Sequence, residues 1–409
     1  MTAETPEGEV RGATIAVLGL PRHFDEGDLA TLARADLVAG GARHLEAVHH
    51  LLPPRADAVV IDADLDGVLA RVAGAQRAVV LASGDPGHFG IVRPLAARVG
   101  HARLDVRPAV PAVAAAFAAA GLPWDDAHVV SAHGRDPAPA VATCRRFPKV
   151  AVLTAPRFGP AQLAAALTDL DRELLVAEDL GGPGQRLTRG TPGEIAAGQW
   201  SDPNIVLVID PARGVGARGR AAPPRATATA WALDDGDFDH RDGMVTKAEV
   251  RALVLAWLGP GPGDLLWDVG AGSGSVAVEA ARLGAAVVAV ERDGAQCARV
   301  RANALRHDVP VQVVEGTAPQ ALTGLPHPDA VFVGGGGTNV VLAAAARARR
   351  VVVAALATVE RVGPLWRALD DDGWQVDATL LSAARLAALP AGHRLDALNP
   401  VFVVRGRRP

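Results

Sequence analysis

Three glycines at alternate positions follow a short apolar run in the second half of this 409-residue sequence. The run 265–267 leads through Asp268 into a turn that consists of Gly270, Ala271, Gly272, Ser273 and Gly274. A strand, such a turn and a helix near Ser275 place backbone N–H groups and the positive end of a helix dipole beside a ligand. The stretch therefore predicts a small-molecule site, with a tight structural turn as the alternative.

The charges around this turn favour a cationic ligand without phosphate. The dinucleotide pattern would put a third glycine five residues after Gly270, where Ser275 stands. Asp268 would repel a pyrophosphate and attract an ammonium or sulfonium group. Glu291 ends the next strand-like run, where a carboxylate can accept hydrogen bonds from both ribose hydroxyls. Together these features predict S-adenosyl-L-methionine as the cofactor.

Glycines recur after the next two strand-like runs. Gly316 and Ala318 follow the third run, where backbone groups could meet an adenine edge, and Gly334 opens a row of four glycines after the fourth. We expect all of them at the cofactor edge of one sheet. The alternative for the glycine row is a flexible loop without a ligand.

Strand-like runs alternate with helical patterns in both halves, which predicts an α/β fold with mostly parallel sheets. The segment 213–229 is rich in Gly, Pro and Arg and is the predicted linker. The predicted domains are therefore 1–212, with lobes at about 12–107 and 108–212, and 230–409.

Composition excludes several classes of protein. The formal charge of −4 gives no global attraction to nucleic acid or anionic lipid. The start of the chain has three glutamates and no apolar core, so we expect no secretory signal. No apolar stretch approaches the ~20 residues of a membrane span. Cys144 and Cys297 are too few for a disulfide framework or a zinc site, and we expect buried thiols in a cytoplasmic protein without a metal.

Longer motifs resemble the fused precorrin-6Y methyltransferases of the cobalamin pathway, which are also decarboxylases. The segments that resemble their class I Rossmann-like methyltransferase module are 238–255, 267–285, 331–337 and 395–404. The segments that resemble their two-lobed tetrapyrrole methylase fold are 35–45, 80–90, 121–135 and 178–187. The resemblance covers essentially the whole chain.

This resemblance implies two methylations of precorrin-6Y that use S-adenosylmethionine, at ring carbons 5 and 15. It also implies loss of carbon dioxide from the ring C acetate, with precorrin-8 as the product. In the family the N-terminal module is assigned the carbon-5 step, and the C-terminal module the carbon-15 step and the decarboxylation. The family also suggests a homo-oligomer that binds a small-molecule tetrapyrrole and neither nucleic acid nor membrane.

Several polar residues are predicted to serve the ring chemistry. The substrate carries many carboxylates, so cations near the clefts are credible anchors, with ordinary surface residues as the alternative. The predicted anchors are Arg241, Lys247, Arg385 and Arg394. His240 and Asp242 could perform acid–base work or only fix their loop. Asn399 could place an amide at the substrate edge, or belong to a turn before an edge strand.

Three further positions are predicted to contact the cofactor or to shape the chain near it. Thr246 is predicted to cap a helix with Glu249 three residues on, and the resemblance adds a cofactor contact. In the N-terminal half, Gly84 and Asp85 stand where the family approaches its cofactor through the backbone. The alternative there is a plain turn.

The N-terminal half departs from the family pattern at two places. Gly19 is followed by residues 20–23 without the usual second loop glycine, and residues 111–114 lack the usual hydroxyl side chains. In the C-terminal half, Ala384 replaces a common serine. We therefore hypothesise weakened or reshaped cofactor or ring binding in the N-terminal module.

Three competing functions stay open at this stage. The first is a class I methyltransferase that acts on another substrate and carries a degenerate tetrapyrrole module. The second is a nicotinamide-dependent dehydrogenase, which the Ser275 spacing and Asp268 disfavour. The third is a tetrapyrrole-binding protein without catalysis.

Overall fold

The computed structural model describes residues 14–21, 23–61, 64–133, 136–212, 231–241 and 245–409. The chain divides into two compact units. The first comprises Met1–Trp124, Leu175–Thr188 and Trp200–Leu207, and the second Asp125–Leu174, Arg189–Gln199 and Val208–Pro409, as far as these ranges are described. The predicted linker 213–229 lies outside the described residues.

The first sheet has five parallel strands, and helices cover both of its faces. Its strands are β1 (Ile15–Leu20), β2 (Leu37–Gly40), β3 (Asp57–Val60), β4 (Ala78–Ser83) and β5 (Leu104–Arg107), in the order β3-β2-β4-β1-β5. The helices are α1 (Glu26–Ala33), α2 (Ala42–Val48), α3 (Leu65–Gly74), α4 (Val92–Val99) and α5 (Ala112–Ala120). Parallel pairing brings the carboxyl ends of β1, β2 and β4 to one edge.

The second sheet takes the order β6-β7-β10-β8-β9. Its strands are β6 (His128–Ser131), β7 (Lys149–Leu153), β8 (Glu173–Glu178), β9 (Arg186–Gly190) and β10 (Asn204–Ile209). The helices in this part of the chain are α6 (Ala138–Arg146), α7 (Pro160–Ala165) and α8 (Pro192–Ala196).

A seven-stranded sheet and a separate hairpin form the C-terminal part. The strands are β11 (Leu265–Val269), β12 (Ala286–Glu291), β13 (Gln312–Glu315), β14 (Ala330–Val333), β15 (Val351–Leu356), β16 (Gln375–Leu381), β17 (Ala384–Leu389), β18 (Gly392–Ala397) and β19 (Val401–Arg407). The helices are α9 (Ala248–Leu258), α10 (Ser275–Arg282), α11 (Gly294–Arg306), α12 (Thr338–Ala345) and α13 (Val362–Asp371).

The order of the third sheet, β13-β12-β11-β14-β15-β19-β16, confirms the predicted Rossmann-like methyltransferase fold. The strands from β13 to β15 are parallel, whereas β19 runs antiparallel between β15 and β16. The direction of the strand order reverses between β11 and β14, which opens a crevice beyond their carboxyl ends. Every residue of β11 is buried because apolar clusters lie on both faces of the sheet.

A buried ion pair anchors the segment before α9. Arg251 on α9 and Glu279 on α10 are 0% and 1% exposed, and the Arg251 Nε donates to the Glu279 carboxylate. Glu279 also accepts the backbone N–H groups of Ala232 and Leu233. Arg251 donates in addition to the carbonyls of Leu233 and Thr246. The two ends of the segment, at residues 232–233 and at Thr246, are therefore bonded to one buried pair.

Both cysteines are free and buried, as predicted. Burial raises the pKa of the Cys144 thiol to about 12, so this sulfur stays protonated. Within the described ranges, every helix is too short or too polar to cross a bilayer. The same ranges contain no group of three His, Cys, Asp or Glu residues arranged to hold a metal ion.

Replacing Arg251 with leucine should destabilise the C-terminal part by about 3–5 kcal/mol, because Glu279 would keep a buried charge without its partner. Urea unfolding of the full chain, monitored by tryptophan fluorescence, measures this change in the free energy of unfolding. The double variant Arg251→Leu, Glu279→Leu should recover part of the loss. The control Arg71→Leu breaks an exposed pair with Asp57 and should cost less than about 1 kcal/mol. Equal effects of Arg251→Leu and Arg71→Leu would contradict this account.

Candidate cofactor site and its surroundings

The glycine turn joins β11 to α10 in a conformation that favours glycine. Gly270, Gly272 and Gly274 have φ values of 71°, 55° and 74°. A Cβ at Gly270 would lie 3.0 Å from the backbone N of Gly335, and one at Gly274 would lie 2.8 Å from a methyl of Val300. The turn is therefore packed closely against the loop after β14 and against α11.

Asp268 is almost fully buried at the end of β11. Its Oδ2 accepts the backbone N–H of Ala277 at 2.9 Å, whereas its Oδ1 is buried and has no hydrogen-bond partner among the described residues. Burial raises the pKa of Asp268 to about 7; the Ala277 N–H lowers it, and the charge of Glu291 raises it further. A buried carboxylate oxygen without a donor fits a ligand that brings a cationic N–H group.

Glu291 closes the other side of the turn. Its Oε2 accepts the N–H of Gly272 at 2.9 Å, and its Oε1 accepts those of Arg292 and Asp293 at 2.8 and 3.1 Å. The carboxylate is thus fixed by three backbone donors. With three of its about four acceptor sites used, it can accept one further hydroxyl hydrogen on Oε2, and its contact with both ribose hydroxyls stays a prediction.

A cavity of about 390 Å³ lies at the carboxyl ends of β11 to β14, where the strand order reverses. Its walls are Val269, Gly270, Val290, Glu291, Arg292, Gly316, Thr317, Ala318, Gly335, Gly336 and Val340. The structure therefore brings four predicted cofactor residues together, namely Gly270, Glu291, Gly316 and Ala318. The volume suits a nucleoside-sized ligand. The cavity, the free Asp268 oxygen and Glu291 fit S-adenosylmethionine.

Other predicted cofactor residues shape the turn without lining this cavity. A Cβ at Gly334 would lie 3.1 Å from the carbonyl oxygen of Gly270, so this glycine permits the close approach of two loops. Ser273 is buried and accepts a hydrogen bond through its carbonyl. Ala271 packs against the core on the α9 side of the sheet. Their contact with the cofactor stays a prediction.

Asn303, which no motif in the sequence marks, ties the segment 231–241 to the glycine turn. This buried α11 residue donates from Nδ2 to the carbonyls of Ser273 and Asp239, at 2.8 and 3.0 Å, and accepts the Asp239 N–H at 2.8 Å. The next residues are the half-buried His240 and then Arg241, whose Nη1 lies 3.4 Å from Asp293. His240 is therefore held near the glycine turn. Asp242 lies outside the described residues.

The predicted cap at Thr246 is wrong. Helix α9 begins at Ala248, its N-cap is Lys247, and no side chain caps it. The N–H of Ala248 instead donates to Asp235 at 3.0 Å, and Glu249 is bonded to Arg385. An acceptor 13 positions earlier in the chain has replaced the local one. The cofactor contact of Thr246 stays a prediction.

Arg385 shares its guanidinium between two carboxylates. It donates to both Glu249 oxygens at 2.8 and 2.7 Å and to Asp235 at 3.0 Å, which lowers the pKa of Glu249 to about 2. These bonds attach strand β17 to the start of α9, and contact of Arg385 with the ring stays a prediction.

The other predicted anchors are dispersed. Lys247 lies 3.6 Å from Asp235, and Arg394 lies 3.8 Å from Asp396 on the exposed strand β18. Asn399 is exposed between β18 and β19. None of these three residues lines the cavity, and their roles at the ring stay predictions.

In the first unit, Gly84 and Asp85 form a turn after β4. The N–H of Gly84 donates to Leu20 at 2.6 Å, and its carbonyl accepts the N–H of Ala109 at 3.0 Å. Asp85 accepts the N–H of Gly87 at 2.8 Å. A Cβ at Gly19 would lie 1.9 Å from the Gly84 oxygen, so the ends of β1 and β4 meet closely. Their cofactor contacts stay predictions.

The sheet order and the pair of carboxylates at the glycine turn are those of a methyltransferase that uses S-adenosylmethionine. A precorrin methyltransferase domain model matches residues 237–402, and a tetrapyrrole (corrin/porphyrin) methylase model matches 18–196. A Sinorhizobium precorrin-6Y C(5,15)-methyltransferase [decarboxylating] is 37% identical over 310 residues, covering 74% of this chain and 73% of that protein. The chain belongs to this family of decarboxylating precorrin-6Y C5,15-methyltransferases.

Two further relatives match a smaller part of this chain than the first does. A Mycobacterium tuberculosis protein of the same name is 38% identical, and the match covers 63% of each chain. A probable cobalt-precorrin-6B C(15)-methyltransferase (decarboxylating) from Pyrobaculum calidifontis is 36% identical over 182 residues, covering 42% of this chain and 93% of that protein. The match to this last relative thus covers nearly its whole length but less than half of this chain.

The raised pKa of Asp268 predicts that affinity for S-adenosylhomocysteine rises with pH. Below about pH 7 the free carboxyl is protonated, and above it the carboxylate attracts the ligand's ammonium group. Titration calorimetry should show up to about a tenfold gain between pH 6 and 7. Asp268→Asn should bind more weakly and lose this gain. Asp264→Asn, at the opposite end of β11, should keep it. A gain that survives in Asp268→Asn would exclude this carboxyl as its source.

Proposed function

We propose that this chain methylates precorrin-6Y at carbons 5 and 15 with S-adenosylmethionine and removes the ring C acetate carboxyl as carbon dioxide, giving precorrin-8. The observation that carries the proposal is the cavity lined by Gly270 and Glu291, together with the buried Oδ1 of nearby Asp268, which has no hydrogen-bond partner among the described residues, in a chain that shares 37% identity with a relative of that name. The cofactor supplies an activated methyl group when it is bound. Electron-rich ring carbons can attack it without a nucleophilic side chain.

The tasks of the protein are alignment and control of charge. Asp268, Gly270 and Glu291 would hold the adenosyl compound in a fixed orientation, because backbone donors fix Glu291 and the packed turn fixes Gly270. Alignment of carbon, methyl and sulfur can contribute several kcal/mol, up to about 7–11 in intramolecular models. His240, held through Asp239 by Asn303, is our proposed group for moving a proton during decarboxylation. We propose Asp242, Arg385 and Asn399 for the same ring site.

We propose a division of labour between two modules, residues 1–212 and 230–409, joined by a linker at 213–229. The C-terminal module would perform the carbon-15 methylation and the decarboxylation, and the N-terminal module the carbon-5 methylation. The two family models, at 18–196 and 237–402, support this division. The altered loop after Gly19 supports a weaker second cofactor site.

Calorimetry with S-adenosylhomocysteine on the full chain tests this division. We expect two molecules to bind, the second more weakly, and the double variant Asp268→Asn, Glu291→Ala to keep one. With precorrin-6Y, this variant should lose carbon-15 methylation and carbon dioxide release by more than about 100-fold, because the lost contacts to a charged ligand act together. Carbon-5 methylation should persist. Glu360→Ala on the surface is the matched control and should behave as wild type. Loss of both methylations in the double variant would refute separate modules.

We also propose that the protein forms a homo-oligomer through the hairpin β17–β18. Leu386 and Leu395 face each other across this hairpin, and each is 71% exposed. Leu389 on the same hairpin is also exposed. An exposed apolar two-stranded sheet is marginally stable alone and gains from pairing with a second copy.

Light scattering after size exclusion tests the oligomer. The mass of the wild type should be a multiple of the mass of one chain. The double variant Leu386→Lys, Leu395→Lys should have the mass of one chain, because charges oppose burial of this face. Leu305→Lys changes a leucine on α11 that is even more exposed, at 83%, and should leave the mass unchanged. A monomeric wild type would rule the oligomer out.

We further propose a cytoplasmic protein that does not bind nucleic acid. The net charge of −4 and the free, buried cysteines support this proposal.

A further inference from the structure

Three polar side chains meet at the carboxyl edge of the first sheet. Ser83 is the last residue of β4, directly before the Gly84–Asp85 turn, and Arg43 and His44 are on α2, which follows β2. Arg43 Nη2 donates to the Ser83 Oγ at 2.7 Å, and His44 Nε2 lies 3.1 Å from the same oxygen. We call Arg43, His44 and Ser83 the β4-edge triad.

The buried ring nitrogen of His44 determines how the triad is protonated. Nδ1 is buried and has no partner among the described residues. A buried N–H without an acceptor costs more than an unused lone pair, so the ring proton belongs on Nε2. Burial, and then the charge of Arg43, lower the pKa of His44, so the imidazole is neutral near pH 7. Nε2–H therefore donates to Ser83.

Both lone pairs of the Ser83 oxygen are then occupied, one by Arg43 and one by His44. The hydroxyl can then form only one further hydrogen bond, in which its own hydrogen donates to a group outside the triad. Arg43 is exposed and uses one of its five N–H groups in the triad, and the structure records no carboxylate within ion-pair distance of it among the described residues. The exposed side of the triad therefore presents donors and a positive charge, without an acceptor.

We propose that the β4-edge triad binds a side-chain carboxylate of the tetrapyrrole in the N-terminal module. Arg43 and Ser83 contact the carboxylate, and His44 is a positioning residue that orients the Ser83 hydroxyl. Because Ser83 adjoins the predicted cofactor turn, this contact places the ring edge beside the methyl donor. The inference rests on the proposed carbon-5 methylation by this module.

The test uses the full chain with precorrin-6Y and cofactor carrying a ¹³C-labelled methyl group, so that NMR distinguishes carbons 5 and 15. Arg43→Gln should raise the KM of carbon-5 methylation about tenfold or more, as expected for a lost charge-assisted contact. The kcat of carbon-5 methylation, the rate of carbon-15 methylation and the number of S-adenosylhomocysteine molecules bound per chain should stay unchanged in this variant. Ser83→Ala should act in the same direction. Arg98→Gln, an exposed arginine at the end of α4, is the matched control.

A second substrate identifies the group that is bound. With a ring whose carboxylates are methyl esters, wild type and Arg43→Gln should have equal KM values, because the charged partner is gone. An unchanged KM in Arg43→Gln with the natural ring would overturn the proposal.

If the wild type placed no label at carbon 5, the module assignment would fail separately. Absorbance titrations of ring binding in the Asp268→Asn, Glu291→Ala background would then test carboxylate binding by the β4-edge triad independently of the module assignment. There, equal affinities with and without Arg43→Gln would overturn it.

Discussion

A buried ion pair between Arg251 and Glu279 holds the two ends of the segment that leads into α9. Glu279 lies on α10, the helix that starts at the glycine turn, so the segment and the turn share one anchor. Two buried charges cost several kcal/mol of desolvation each unless they are paired and hydrogen-bonded, and here backbone groups satisfy both of them. The position of His240 depends on this anchor and on the second tie through Asn303.

The order of the strands decides where chemistry can occur in the C-terminal part. Because the sheet grows outward in both directions from β11 and β14, the loops after these strands diverge and leave a crevice. Asp268 and Gly270 lie at the end of β11, and Glu291 ends its neighbour β12. The same arrangement buries Asp268 from solvent, which raises its pKa to about 7 and leaves its Oδ1 without a hydrogen-bond partner among the described residues.

The sequence predicted that four of these residues would come together, because they follow strands closely in the chain. Gly270, Glu291, Gly316 and Ala318 each stand at a strand end, and parallel strands bring such ends together. The local capping rule failed at α9, where the acceptor lies 13 positions before the donor. Thr246 does not cap α9, because Asp235 receives the Ala248 N–H instead.

Long-range partners also explain what no pattern could predict. Arg385 bonds to Glu249, 136 positions earlier, and Asn303 bonds to Asp239, 64 positions earlier. The type of Asn303 was a usable signal, since it stands at helical spacing from Val300 on the buried face of α11, where an amide needs defined partners. The identity of those partners depends on tertiary packing, which spacing alone does not encode.

The place of β19 between β15 and β16 has a consequence for synthesis of the chain. Strand β16 pairs only with Val401–Arg407 within this sheet, so it has no neighbour until that late segment has left the ribosome. Until then the nascent polypeptide carries an open edge at β15 and an unpaired β16. Chaperone engagement during translation would matter most in that interval, and premature termination before position 401 would leave both edges open to aggregation.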